Sequence, residues 1–346
     1  MNGYRQRHVT WWTQMFAALV IAFAALPARA NDFYAGQQIR IIVASGPAGG
    51  FDTYARLLAR HMGRFIPGNP TFVVQNMPGA GGLQAAGYMA KIAPKDGLTI
   101  GAMQAGTIKA PMLGQATVDF DHSKFGWIGS LNSEVMVCVS SQGSKVKSLQ
   151  DAMTEELVVG AAGAANDSAL LPVSLNSLLG AKFKVIPGYA DGPGILLAMQ
   201  RGEVGGRCGW SWSSIMVQHP DWVRNKTINV LLQVPVKHAD LAHVPLASEM
   251  AKTPEDRQAI EFLFGHLQMS RAFALPPGTP PERLSVLRAG FDAMVKDEGV
   301  IAEFNKINQE LSPLSGAAVE ALVNKLSATP PSVIARAKAA VGIAVK

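Results

Sequence analysis

Two glycine loops constrain what this chain can fold into. The first, Ser45-Gly46-Pro47-Ala48-Gly49-Gly50-Phe51-Asp52, follows the β-branched run Ile41-Ile42-Val43. The second, Asn76-Met77-Pro78-Gly79-Ala80-Gly81-Gly82, follows Phe72-Val73-Val74. Each precedes a stretch with helical apolar spacing. Glycine lets the backbone approach a ligand closely, and a helix N-terminus offers unpaired N–H groups with a partial positive charge. Two such loops at neighbouring strand ends form a cradle for an anion, most simply a carboxylate.

The order from Ile39 to Met103 reads strand, loop, helix, strand, loop, helix, strand. The first helix sets Phe51, Tyr54, Ala55, Leu58, Met62 and Phe65 on one face. Arg56, Arg60 and Arg64 fall on another at i,i+4 spacing and read as a solvated stripe. Leu98–Met103 is the third strand, and the small-residue loop Gln104-Ala105-Gly106-Thr107 follows it. Repeated strand–helix units imply a parallel sheet with right-handed crossovers, whose ligands bind beyond the carboxyl ends of the strands.

The same device then recurs. Val135–Val139 reads as a strand that carries the chain into another lobe. There Leu157–Gly160 runs into Ala161–Ser168, Phe183–Ile186 into Pro187–Gly194, and Gly205–Gly209 into Trp210-Ser211-Trp212-Ser213-Ser214. Ile228–Gln233 is a further strand placed to return the chain to the first lobe. From Pro280 the chain is mainly helical, with Thr279 as the expected N-cap. The reading is an α/β protein of two lobes whose loops face each other across a cleft.

The ends and composition narrow the class. Arg5, Arg7 and His8 precede an apolar run over Met15–Leu26, and Pro27-Ala28-Arg29-Ala30 offers a small-x-small cleavage site. Residues 1–30 therefore read as a secretory signal cleaved near Ala30, too short for a comfortable membrane span. Arg5, Arg7 and Arg29 leave with that signal and no acid does. The 31 basic residues become 28 against 25 acidic ones, and the formal charge drops from +6 to +3. That is too small and scattered for a nucleic-acid footprint. Cys138 and Cys208 have no zinc spacing. They read as two buried thiols, with a disulfide as the alternative in an exported chain.

Other chemistries fit poorly. A dinucleotide fold wants G-x-G-x-x-G and an acid after the second strand, where Gln75 and Asn76 stand instead. Ser211, Ser213 and Ser214 lack a G-x-S-x-G elbow, the histidines have no paired acid at a telling spacing, and there is no H-E-x-x-H. No catalytic residue, metal site or cofactor is expected, and an exported hydrolase is the weaker alternative.

The linear order of these pieces resembles the Bug family, the periplasmic solute receptors of tripartite tricarboxylate transporters. It comprises Ile39–Val43 into Pro47–Asp52 with Ala55-Arg56, then Val73–Gly82, then Ala93-Pro94-Lys95-Asp96-Gly97. Pro187-Gly188-Tyr189, Gly202-Glu203-Val204, Val244-Pro245 with Glu249, and Pro276–Pro280 follow in order. The resemblance implies a type II-like Venus flytrap with two crossing hinge strands. Residues 31–134 and 234–346 would form the first lobe and 135–233 the second. It implies a monomer that closes on a small organic carboxylate and presents it to a membrane permease. A sensor kinase as the partner is the alternative.

By that resemblance the ligand carboxylate sits on Ala48, Gly49, Gly50, Gly79, Ala80 and Gly81, with Gly106 and Thr107 beside it; Asp52 either reaches it through water or is simply the carboxylate that a first helical turn favours. Gly163, Asn166, Ser168, Tyr189, Arg207, Trp210 and Ser211 read its distal part. The chain departs from the family pattern on that side: Ala161–Ala165 is poor in hydroxyls, Gly188 intervenes between proline and tyrosine, and Arg207, Trp210 and Trp212 are bulky. Arg207 is either a clamp for a second carboxylate or a snorkelling surface residue. The tryptophans alternate with serines, so one set faces the cleft. An indole wall there would select an acid with a sizeable apolar or aromatic body, not citrate or an amino acid.

Overall fold

The computed structural model describes residues 33–47, 50–114, 118–162, 166–189 and 192–343. The signal expected over residues 1–30 lies outside them, as do Ala48, Gly49 and Gly163. Among the described residues no helix is long and apolar enough to cross a membrane.

Two sheets carry the fold. The first contains β1 (Gln38–Val43), β2 (Thr71–Asn76), β3 (Thr99–Met103), β4 (Gly126–Ser130), β10 (Ala272–Leu275) and β11 (Leu314–Ser315), in the order β11-β4-β10-β3-β1-β2. β1 runs parallel to both β2 and β3, and β10 is antiparallel to β3 and β4. β1 is apolar at Ile39 and from Ile41 to Val43, where both of its faces are covered. Ile42 enters one core cluster, while Ile39, Ile41 and Val43 enter another. That is the pattern of a central parallel strand. β2 is the edge strand, with Val73 left exposed.

The second sheet contains β5 (Met136–Ser141), β6 (Leu157–Ala161), β7 (Phe183–Pro187), β8 (Gly206–Ser211) and β9 (Ile228–Val234), in the order β7-β6-β8-β5-β9. β6 is parallel to β7 and β8, and β5 is antiparallel to β8 and β9. Only residues 131–135 separate the end of β4 from the start of β5. Residues that follow β1 and β3 (Phe51, Gln104, Ala105 and Gly106) share a cavity with Asp167 and Leu170, which follow β6.

Two crossing segments join the sheets as an antiparallel pair. The Leu131 amide donates to the Arg271 carbonyl (3.1 Å), the Ser270 amide to Asn132 (3.1 Å) and the Glu134 amide to Leu267 (2.9 Å). The second crossing falls later than expected. β9 is the edge of the second sheet and not a return strand. Beyond it Gln233 bridges to Leu246, and the Pro254–Phe264 helix packs on the Asp167–Leu179 helix. The chain returns through Gly265–Arg271. The Pro331–Ala340 helix also rests on the Asp167–Leu179 helix, where Arg336 bonds Ser177 and Asp256.

Three local expectations change. Thr279 does not cap the Pro281–Met294 helix; its hydroxyl donates to the Pro276 carbonyl, and Pro280 holds the cap position. The arginine stripe is solvated, as expected, but also ion-paired: Arg56 to the buried Asp52, and Arg60 to Glu303 and Arg64 to Asp297, the last two being exposed pairs that contribute about 0–1 kcal/mol each. Cys138 and Cys208 are joined in a disulfide, not left as two thiols. The antiparallel register of β5 on β8 puts them side by side at a Cα separation of 3.9 Å in a fully buried position.

Closing a long loop in the unfolded chain stabilises the folded one by about 2–4 kcal/mol. Replacing both cysteines with alanine should lower the unfolding free energy by that amount in a denaturant titration. Adding a reductant to the unfolded wild-type chain should give the same midpoint as the double variant.

Candidate functional site

A cavity of about 370 Å³ lies where the crossing pair meets the loops of both sheets. Phe51, Gln104, Gly106 and Lys109 come from the segments that follow β1 and β3. Asp167 and Leu170 come from the first turn of the Asp167–Leu179 helix, and Glu134, His266, Leu267 and Arg271 from the crossing segments. The site is thus built from segments far apart in sequence that meet only at the hinge.

Arg271 sits directly before β10, at the strand end that pairs with Met103. Its guanidinium lies over the rings of Phe51 (4.5 Å) and Tyr54 (5.2 Å), which hold it under the first turn of the Gly50–His61 helix. The approach is close enough that a Cβ on Gly50 would stand 3.2 Å from Nη2. Nη1 donates to the Ser270 carbonyl and hydroxyl (3.1 and 2.8 Å). Nη2 is 3.8 Å from Glu134, and the buried Nε has no hydrogen-bond partner. A guanidinium beside a helix N-terminus is an anion-binding arrangement. Glu134 itself is buried and accepts from the Ser211 hydroxyl, with Ser213 at 3.4 Å.

Lys109 and His266 form a second cluster at the cavity. Lys109 donates to the Leu263 carbonyl (2.7 Å) and lies against Phe264. Burial lowers its pKa to about 8, opposed by the carboxylate of Asp167. Burial, with the Lys109 charge nearby, holds His266 well below the usual histidine range, so its imidazole is neutral. Its Nδ1 is buried without a partner.

The residues singled out from sequence divide sharply. Gly50 and Gly106 lie at the cavity. Gly79, Ala80, Gly81 and Gly82 form an unbroken left-handed run (φ 146, 46, 60 and 92°), with residues 79–81 exposed at the end of β2. Asp52 is buried; Arg56 binds both of its oxygens (2.8 and 3.0 Å) and Asn76 one (2.9 Å), which fastens the helix to β2. Thr107 is 2% exposed and turned inward, bonding the Gln104 carbonyl and His122. In the second sheet Asn166 and Ser168 bond each other, and Ser168 also accepts from the Ala162 amide.

The aromatic wall is not in the cavity. Gly209, at φ +64°, bulges β8 and brings Arg207 and Trp210 to the same side, the guanidinium 4.9 Å from the indole. Trp210 is 3% exposed and packs on His219 and Trp222. Tyr189 covers Gly160 in the same core, and Arg207 lies against Gly192. Ser211 caps the following helix and bonds Glu134. Trp212 lines a separate cavity of about 310 Å³ with His238, Asp240 and Glu310. Lys109, Glu134, Asp167, His266 and Arg271 were not singled out from the sequence. The one local signal was Arg271 itself, a cation at the mouth of the apolar strand Ala272-Phe273-Ala274-Leu275.

Two α/β sheets joined by a crossing pair, with a polar cavity at the hinge, define a periplasmic binding protein fold. Residues 55–218 match the sequence pattern of the TctC family, described as the tripartite tricarboxylate transporter family receptor. The chain is 24% identical over 310 residues to a UPF0065 protein from the TAR-I ttuE–ttuC' intergenic region of Agrobacterium vitis, covering 87% of this chain and 84% of that one. Its fold is similar to that of a TctC solute binding protein from Polaromonas (TM-score 0.68, 20% identity, 89% of this chain and 99% of the other). It is also similar to R. palustris Rpa4515, solved with adipate (TM-score 0.58, 20% identity, 89% and 98%). The match to the tripartite tricarboxylate transporter receptor family thus spans residues 55–218, and the similarity of fold to the solved relatives extends over most of the chain.

The Lys109 shift makes stability depend on pH with a definite sign. The folded chain releases this proton near pH 8, while the unfolded chain holds it to the ordinary 10.5. Between those values the unfolded state binds more protons, so this group makes stability climb as pH rises. Thermal melts across that window should show the climb in the wild type, and Lys109→Met should flatten it.

Proposed function

We propose that the protein is an exported receptor that captures a small organic carboxylate in the hinge cavity and delivers it to the transporter's membrane permease. The two sheets act as lobes, and the chain crosses between them near residues 134 and 265. The protein works as a monomer, and ligand selects the closed arrangement. The observation that carries the proposal is Arg271, a half-buried guanidinium with an unpartnered Nε, held beneath the start of the Gly50–His61 helix. The main-chain N–H groups at Gly50, and those of the left-handed run Gly79–Gly82, would complete the cradle. The adipate seen in a structural relative supports a carboxylate as the ligand class.

On this reading the distal ligand contacts are Asp167, Lys109 and His266. The loop residues Asn166 and Ser168 shape the turn, and Tyr189, Arg207 and Trp210 support it from the core. A hydrogen bond to a charged group contributes about 1.5–3 kcal/mol. Arg271→Gln should therefore weaken binding of the preferred acid at least tenfold in titration calorimetry, with Arg271→Lys in between. A screen of organic acids by thermal shift identifies that acid. Undiminished binding in Arg271→Gln would remove the guanidinium from the site.

A further inference from the structure

The charges around the cavity carry the argument one step further, on the basis of the function proposed above. Its described lining holds two cations, Arg271 and Lys109, and two carboxylates, Glu134 and Asp167. These cancel. Two helices of 12 and 13 residues begin at the cavity wall, at Gly50 and Asp167. Each N-terminus is equivalent to roughly half a positive charge. The empty site thus carries the equivalent of about one unit of positive charge.

The charges are also paired. Arg271 and Glu134 stand 3.8 Å apart. Lys109 is electrostatically coupled to Asp167 and acts on His266. His266 is 7% exposed and neutral, and its Nδ1 has no partner. Phe51, Met136, Leu170 and Leu267 supply apolar wall. One anionic group neutralises this site. A second carboxylate at the far end would meet Lys109 only in competition with Asp167, and a buried charge without its own counter-charge is strongly disfavoured.

We infer that the site selects a monocarboxylate whose distal end carries an uncharged hydrogen-bonding group, such as a hydroxyl, and discriminates against dicarboxylates of the same length. The carboxylate lies toward Arg271. The hydroxyl lies among Lys109, Asp167 and His266, where it both donates and accepts.

Matched pairs test this: succinate against γ-hydroxybutyrate, and adipate against ω-hydroxyhexanoate, with hexanoate as the unfunctionalised control. Titration calorimetry at neutral pH should show each hydroxy acid at least tenfold tighter than its dicarboxylate, and ω-hydroxyhexanoate tighter than hexanoate. Asp167→Asn removes one negative charge and should move the preference toward the dicarboxylate about tenfold. Lys109→Met should move it the other way. A wild-type protein that binds the dicarboxylates as tightly or more tightly overturns the inference and leaves the carboxylate reading standing. Failure to bind any acid of the series or of a wider organic-acid screen overturns both.

Discussion

The site depends on the antiparallel pairing of residues 131–134 with 267–271. Three backbone hydrogen bonds fix the register of the two segments that join the sheets. That register sets Glu134 beside Arg271, and it brings β10 into the first sheet so that Arg271 reaches the start of the Gly50–His61 helix. A third segment reinforces the pair, since Ser312 donates its amide to Leu131 and its hydroxyl accepts from the Ser133 amide. A slip of one residue would turn Arg271 to the opposite face, because side chains alternate along a strand.

What the sequence made legible was local. β-branched runs followed by glycine turns and apolar helical spacing are properties of a dozen neighbouring residues, and β1 to β3 and β6 to β8 all fall where that spacing puts them. The turns after β1, β3 and β6 lie near the hinge cavity. Arg271, Lys109, Glu134 and His266 escaped notice because each owes its environment to a partner more than a hundred residues away or across the hinge. No window on the chain contains both Gly50 and Arg271.

Where sequence periodicity was asked to orient side chains, one glycine defeated it. Alternation along Gly206–Ser211 separates Arg207 from Trp210, yet Gly209 adopts a left-handed backbone and resets the pleat. The indole is thereby drawn into the second sheet's core with His219 and Trp222. The loss of hydroxyls in Ala161–Ala165 has a related outcome. The remaining polar groups of that loop, Asn166 and Ser168, are used to close the turn on itself, and the charged Asp167 between them is what reaches the cavity.

The disulfide has a mechanical consequence. It joins β5, the strand that receives the chain from the hinge, to β8, whose last residue Ser211 holds Glu134. A torque applied at residues 131–135 cannot shear these strands past each other. The second sheet behaves as a stiff plate on a short axle, and all of the compliance between the plates is confined to the few residues at the crossing. The axle and the arginine proposed to hold the anion are then the same piece of chain, so on that proposal gripping the ligand and setting the angle between the plates are one mechanical act.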